Sequence, residues 1–279
     1  MENKYLEEYK KQQLRKCQLK QLDILKETDA ICRKHHIDYW LDGGTILGAV
    51  RHKGFIPWDD DIDIAMTAEG LKKFKQIAPK EYSGHLMLQT PENEPAKEPI
   101  SKVRDLNSFY IEESDDFSVD YQKGLYIDIF PMIPYPSISR NLTKKITRGI
   151  SKCYSILHHK HYYSIRAFVE FFWFGFKYII YRMIWSMACT LRPTNTYFSN
   201  EPVTNGYGTQ HRKDSIFPVT EIEFEGCSFL GPHNPDAYLK DLYRNYMEIP
   251  PVEKRKIHSI YIHSQLTPST LQRANTDDE

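Results

Sequence analysis

Gly54-Phe55-Ile56-Pro57-Trp58-Asp59-Asp60-Asp61-Ile62-Asp63-Ile64-Ala65 places four aspartates within five residues. Two carboxylates about 4 Å apart repel by roughly 4 kcal/mol at an effective dielectric of about 20. A folded chain must therefore separate them, solvate them or set a cation among them. Asp61-Ile62-Asp63-Ile64-Ala65 alternates with period two, the pattern of a strand. That period puts Asp61 and Asp63 on one face and turns Ile62 and Ile64 towards a core. An acidic surface loop does not need alternating isoleucines. Asp60 falls out of phase and reads as a turn or cap residue pointing away from the other carboxylates.

Two further segments complete the pattern. Upstream, Gly43-Gly44-Thr45 follows a short apolar run, Ile37 to Leu41, which reads as a strand, and precedes Thr45 to Val50, which reads as the start of a helix. A glycine pair there lets backbone approach a ligand closely, and a helix N-terminus offers free N–H groups to a phosphate. Its spacing matches neither a P-loop nor a dinucleotide-binding fingerprint. Downstream, Leu125 to Phe130 reads as a strand ended by Pro131, and Asp128 sits there between Ile127 and Ile129. A carboxylate so flanked needs a partner. Asp61, Asp63 and Asp128 together suit a hard divalent cation such as Mg²⁺, with Mn²⁺ as a substitute; such ions take oxygen ligands and complete their shell with substrate phosphates.

Composition sets the frame. With 279 residues the chain has room for a sizeable core. Lys plus Arg and Asp plus Glu number 37 each, so net charge gives no argument for a nucleic-acid partner. Five cysteines are scattered singly, without the spacing of a zinc or redox motif, and no apolar signal segment follows Met1. A reducing, cytoplasmic setting is expected.

Residues 1–36 read as a packing helix with Leu14, Leu22, Leu25 and Cys32 on one face. Glu69 to Ala78 reads as a helix, and Leu86 to Leu88, Ile100 to Arg104 and Phe109 to Ile111 as strands. Composition then shifts: Leu142 to Arg166 holds six Lys or Arg and no acid, and Ala167 to Leu191 is nearly all apolar and aromatic, broken by Glu170, Lys177 and Arg182. Those charges leave no uninterrupted apolar run of the length a membrane span requires. A buried helix, an interaction surface and an interfacial membrane helix are all compatible with this segment, and we expect helical packing that leaves part of it for peripheral membrane contact. A hairpin around Glu225-Gly226 within Phe217 to Leu230, a helix over Asp236 to Arg244 and a loose tail from Thr267 complete the reading.

Leu41-Asp42-Gly43-Gly44-Thr45-Ile46-Leu47-Gly48-Ala49-Val50-Arg51, the aspartate segment, and Gly124-Leu125-Tyr126-Ile127-Asp128-Ile129-Phe130-Pro131 together closely resemble the LicD family. Phe224-Glu225-Gly226, Gly231-Pro232, Tyr238-Leu239, Tyr243 and Pro250-Pro251 extend the resemblance over roughly residues 20–260. It implies an α+β fold: a nucleotidyltransferase-like mixed sheet flanked by helices, with a helical aromatic-rich insertion and a C-terminal extension. The organisation expected is an N-terminal helix (1–36), a catalytic core (37–135), a basic then apolar helical segment (136–195), a C-terminal part packed on the core (196–265) and the tail (266–279). The resemblance also implies three metal carboxylates at Asp61, Asp63 and Asp128, and transfer of a phospho-alcohol, commonly phosphocholine, from a CDP-linked donor to a glycan. Relatives such as fukutin and the fukutin-related protein transfer ribitol phosphate. The cysteine zinc site of the latter has no counterpart in the cysteine pattern here, so no zinc is expected.

The expected site therefore comprises Asp61, Asp63, Asp128 and Asp59 as catalytic carboxylates, the base being Asp128 or Asp59. Gly43, Gly44, Thr45, Arg51, Lys102 and Arg104 are the expected donor-binding residues, with a solvated strand face as the competing role for Lys102 and Arg104. Trp58 packs under the metal loop or stacks on the donor; His258 and Arg255 approach from the C-terminal part. The expected partners are a CDP-linked donor and a glycan acceptor on a lipid carrier (teichoic acid, capsule or lipopolysaccharide type), at the inner face of the cell membrane, with no nucleic acid. Ribitol phosphate, glycerol phosphate or a sugar phosphate as the transferred group, or a nucleotidyltransferase reaction, remain open on these residues.

Overall fold

The computed structural model describes residues 4–94, 100–113, 115, 121–158, 164–255 and 257–266. In chain order the elements are α1 (Lys4–Lys34), β1 (Tyr39–Leu41), α2 (Gly43–His52), β2 (Asp63–Thr67), α3 (Ala68–Glu81), β3 (Leu86–Gln89), β4 (Ser101–Asp105), β5 (Phe109–Glu112) and β6 (Tyr126–Tyr135). There follow α4 (Arg140–Leu157), α5 (Ile165–Leu191), β7 (Tyr197–Asn200), β8 (His211–Arg212), α6 (Lys213–Ile216), β9 (Thr220–Phe224), β10 (Cys227–Gly231), α7 (Pro235–Tyr243) and β11 (Ser259–His263). The chain divides into two compact units.

The first unit, residues 1–130, 219–231 and 245–279, is built on strands in the order β1-β2-β6-β4-β3. It is the expected α+β arrangement of a mixed sheet flanked by helices. Leu41 pairs with Ile64 across β1 and β2, and Lys102 with Asp128 across β4 and β6. Alternation does what it predicts: Ile62, Ile64, Ile127 and Ile129 are all fully buried, each contributing about 2 kcal/mol of apolar burial. Helices α2 and α3 pack against β2. Asp42 caps α2 by accepting from the Gly43 N–H, and Thr67 caps α3 by accepting from Gly70 N–H.

One apolar face of α1 is sealed, with Leu14, Leu22, Leu25 and Cys32 buried. The C-terminal part returns to this unit twice. The β9–β10 hairpin turns at Glu225 and Gly226, both with positive φ (54° and 70°) as a two-residue hairpin turn demands. Strand β11 pairs with β5 and packs along α1, where Leu14, Cys17, Tyr110, Leu125, Tyr126 and Ile262 form one cluster.

The second unit comprises residues 131–218 and 232–244. The second half of β6 pairs with β7, which pairs with β8. The long helices α4 and α5 pack on each other over Tyr135, Ile146, Ile150 and Trp185. Their close approach passes Gly149, where an added Cβ would lie 2.5 Å from the Tyr181 ring. Among the described residues no helix is long and apolar enough to cross a membrane.

Three boundaries differ from the sequence reading. Strand β6 does not end at Pro131 but runs on to Tyr135. Beyond Ile129 its antiparallel partner changes from β4 to β7, whose register begins at Met132, so Pro131 falls in the gap between the two partners. Helix α2 starts at Gly43 rather than Thr45 because Asp42 supplies the cap. Strand β2 starts at Asp63, leaving Asp61 in the preceding loop. The tail from Thr267 lies outside the described residues.

Candidate functional site

The site lies in the first unit, where the loop before β2 meets the start of α2. Gly43 has φ +51°, and an added Cβ there would sit 2.2 Å from Asp63 Oδ2; at Gly44 it would sit 2.5 Å from Asp59 Oδ2. The glycine pair is thus the wall against which two carboxylates of the cluster rest. Thr45 serves the same wall: its hydroxyl accepts from the Asp63 N–H at 2.8 Å, and the Asp63 carbonyl accepts from the Asp42 N–H at 3.0 Å. From the next strand, the Asp128 N–H donates to the Ile62 carbonyl at 2.8 Å.

These constraints bring Asp59, Asp61, Asp63 and Asp128 into one electrostatic group. Burial pushes each carboxyl above its ordinary range. Mutual repulsion adds to this: Asp61 acts on Asp59, and Asp61, Asp128, Asp42 and Asp59 act on Asp63. For Asp61, His258 pulls the other way; for Asp128, Lys102 does. Among the described residues Asp59, Asp61 and His258 present ligand atoms all within 4.8 Å of one another, a set tighter than Asp61, Asp63 and Asp128. His258 Nε2 lies 3.8 Å from Asp59 Oδ1.

The fit to a divalent cation rests on this donor set. All four carboxylates are hard oxygen donors, their repulsion is only partly offset by the side chains beside them, and Gly43 and Gly44 keep the space around them free of side chain. A hard cation is the ligand such a set accommodates.

Asp60 has a separate task. Fully buried, its carboxylate accepts from the backbone N–H groups of His258 and Ser259, both at 2.9 Å, and from the Tyr110 hydroxyl at 3.2 Å. It ties the start of β11 to the aspartate loop. From α1, Gln18 donates to the Asp59 carbonyl at 2.8 Å and Gln21 to the Asp60 carbonyl at 2.9 Å. Glu225 braces the other end of the loop: it accepts from the Phe55 N–H at 3.0 Å and is held by both terminal nitrogens of Arg15. The sequence reading missed Gln18, Gln21 and Glu225 as supports. The available signal was two glutamines three residues apart on the apolar face of α1.

The expected donor-binding cations are placed unequally. Lys102 is buried, pairs with Asp128 Oδ1 at 2.8 Å, and rests 3.7 Å above the Tyr126 ring. Arg104 is also buried, so neither residue forms a solvated strand face. Arg104 donates to Gln89 at 2.6 Å and to the Gly124 carbonyl at 2.9 Å, which commits it to the interior. Arg51 donates to the carbonyls of Tyr246 and Glu248 and holds that C-terminal segment. Arg255 stacks 4.5 Å over Trp58, whose edge meets His52. A cleft of about 590 Å³ lies elsewhere, lined by Lys16, Lys20, Asp23, His85 and Asp105, and contains none of the clustered carboxylates.

Residues 36–164 match the LicD/FKTN/FKRP nucleotidyltransferase domain. Along 90% of its length the chain is 28% identical to the lipopolysaccharide cholinephosphotransferase LicD of Haemophilus influenzae, covering 97% of that protein. Over 103 residues, 35% of this chain and 17% of the relative, it is 31% identical to the human ribitol 5-phosphate transferase FKRP. An uncharacterised protein of Rickettsia typhi is 47% identical over 57 residues, 20% of this chain and 18% of that protein. The relatives with an assigned activity are named as a cholinephosphotransferase and a ribitol 5-phosphate transferase.

Proposed function

We propose that this chain is a metal-dependent phospho-alcohol transferase that moves phosphocholine from CDP-choline to a hydroxyl of a cell-surface glycan assembled on a lipid carrier. The observation that carries the reading is the convergence of Asp59, Asp61, Asp63 and Asp128 on the glycine-walled start of α2. Similarity along nearly the whole chain to a lipopolysaccharide cholinephosphotransferase supports choline as the alcohol.

Asp61, Asp63 and Asp128 would hold Mg²⁺ or Mn²⁺, with Asp59 and His258 beside them. Bound there, the ion supplies charge neutralisation at the donor diphosphate. The chain's own residues do the rest. Lys102 sets the orientation and charge of Asp128. Thr45 and Asp42 fix the backbone of Asp63. In the transfer the acceptor oxygen forms a bond to the phosphorus that carries choline, and the phosphoanhydride bond breaks. CMP leaves with the electron pair. The hydroxyl proton passes to Asp59, which has His258 at 3.8 Å to receive or relay it. Positioning and charge neutralisation dominate such phosphoryl chemistry.

A second reading, ribitol phosphate in place of phosphocholine, is favoured by the 31% identity over 103 residues to the ribitol 5-phosphate transferase. A donor panel separates them: CDP-choline, CDP-ribitol, CDP-glycerol and a nucleotide sugar, each with Mg²⁺, scored by nucleoside monophosphate release. CMP release from CDP-choline alone is expected. Pyrophosphate release from a nucleoside triphosphate would overturn the transferase reading in favour of nucleotidyl transfer.

A further inference from the structure

Helix α5 is amphipathic in an inverted sense. Its 27 residues extend about 40 Å. One side packs inward, where Trp185 is buried against Tyr135 at 4.7 Å between ring centroids, with Tyr178 and Tyr181 beside it. The opposite side is open. Phe168, Phe172, Phe176, Ile179, Met183 and Met187 follow helical spacing, and all six are 58–65% exposed. Exposed apolar patches on monomeric proteins rarely exceed a few hundred Å², and a run of six large side chains along about five turns calls for an occupant.

Charge identifies the occupant. At 100° per residue the open stripe, from Phe168 round to Ile184, includes only Arg166, at its edge. Lys177 lies on one border, its ammonium 4.7 Å over the Trp173 ring, and Arg182 lies towards the other. Glu170, at the border, is paired with Arg166 at 3.0 Å. From Ile129 to Asn200 the sequence holds ten Lys or Arg and one acid, in a chain whose total charge is zero. Apolar and aromatic side chains rimmed by cations match a surface that is apolar inside and anionic at its edge. A second copy matches poorly, because a two-fold interface would set one cationic rim against its twin.

We propose that the outward face of α5 is an interfacial anchor that seats the second unit on an anionic lipid bilayer, the helix lying in the plane of the surface with its aromatic and methionine side chains among the acyl chains. Lys177 and Arg182, with the basic residues Lys145 and Lys152 of α4, meet the headgroups. A spanning orientation is incompatible with the packed inner face. The proposal goes beyond the transferase reading and stands independently of it.

The test is flotation of the full chain with phosphatidylcholine vesicles, alone or with about 30% phosphatidylglycerol, at about 0.1 and 0.5 M salt. Sedimentation velocity without lipid accompanies it. The wild-type chain is expected to float with the anionic vesicles, about tenfold less with neutral vesicles, and less at high salt. The double variant Phe172→Glu, Ile179→Glu changes only exposed positions. It should retain the wild-type circular dichroism and lose at least about tenfold in vesicle binding. Absence of flotation with anionic vesicles overturns the proposal, as does a variant that floats like wild type. A lipid-free dimer that the variant dissociates, without flotation, assigns the face to a second copy instead.

Discussion

The aspartate loop and helix α5 each break a rule of folding, in opposite ways. The loop gathers like charges where burial raises their cost, and the chain surrounds them with supports: Gln18 and Gln21 from α1, Glu225 from the hairpin, and the backbone of β11 bound by Asp60. Helix α5 exposes the groups that ought to be buried, and its open face has no such bracing. The first pattern is what a site for a small, charged, precisely placed ligand needs, since loose carboxylates would relax apart. The second suits a partner that is extended and fluid, against which exact placement has no value. On the two readings proposed, local conflict with folding rules accompanies function in both regions, and the amount of support around the conflict separates the two kinds of partner.

The sharpest way to break this comparison is to remove a carboxylate. Asp61→Asn or Asp63→Asn should lower kcat by at least about a thousandfold while circular dichroism and the melting temperature stay near wild type. Full transfer activity in either variant ends the metal mechanism. Chelation should act as strongly and reversibly, activity returning with Mg²⁺. Because burial and repulsion raise the carboxyl pKa values, protons must leave as the ion binds. Mg²⁺ affinity should therefore climb as pH rises, measured by calorimetry in buffers of different ionisation enthalpy. A flat profile contradicts the shared-carboxylate geometry.

Gly43→Ala tests the wall. Its Cβ would meet Asp63 Oδ2 at 2.2 Å on a backbone with φ +51°, so activity should fall by about ten- to a hundredfold, with about 1–2 kcal/mol of lost stability. An alanine variant with wild-type kinetics would show that the carboxylates are not held by close approach.

The smallest effect is expected at Glu225. Its carboxyl lies below the ordinary range because Arg15, first, and then the Phe55 N–H favour the charged form. A lowered folded-state pKa means stability that is present above the ordinary glutamate range and lost as pH falls through the lowered value. Denaturant titrations from neutral to acid pH should show that loss, reduced in Glu225→Gln. An identical pH dependence in the variant would remove Glu225 from the loop's support.

Local patterns carried the sequence reading a long way. Period two at Ile62, Ile64, Ile127 and Ile129 announced the central strands, and the Glu225-Gly226 turn announced its hairpin. Long-range choices were not legible. Arg104 and Arg51 look like phosphate ligands in sequence, but whether a guanidinium faces a ligand or the interior depends on Gln89 and Gly124, 15 and 20 positions from Arg104, and on Tyr246, 195 positions from Arg51. Asp60 read only as a residue out of phase, because its partners at His258 and Ser259 lie nearly two hundred positions away in sequence. Pro131 misled as a terminator because the strand that takes up the pairing beyond it, β7, comes from a distant part of the chain.

The matched domain begins at residue 36 and ends at residue 164, whereas the groups that grip the aspartate loop come from Gln18, Gln21, Glu225 and the His258–Ser259 backbone. A fragment trimmed to that domain would therefore keep all four clustered carboxylates and lose their scaffolding. The unit that holds the aspartate loop is larger than the matched domain, and segments from before and after that domain act as jaws of one clamp on the same short loop.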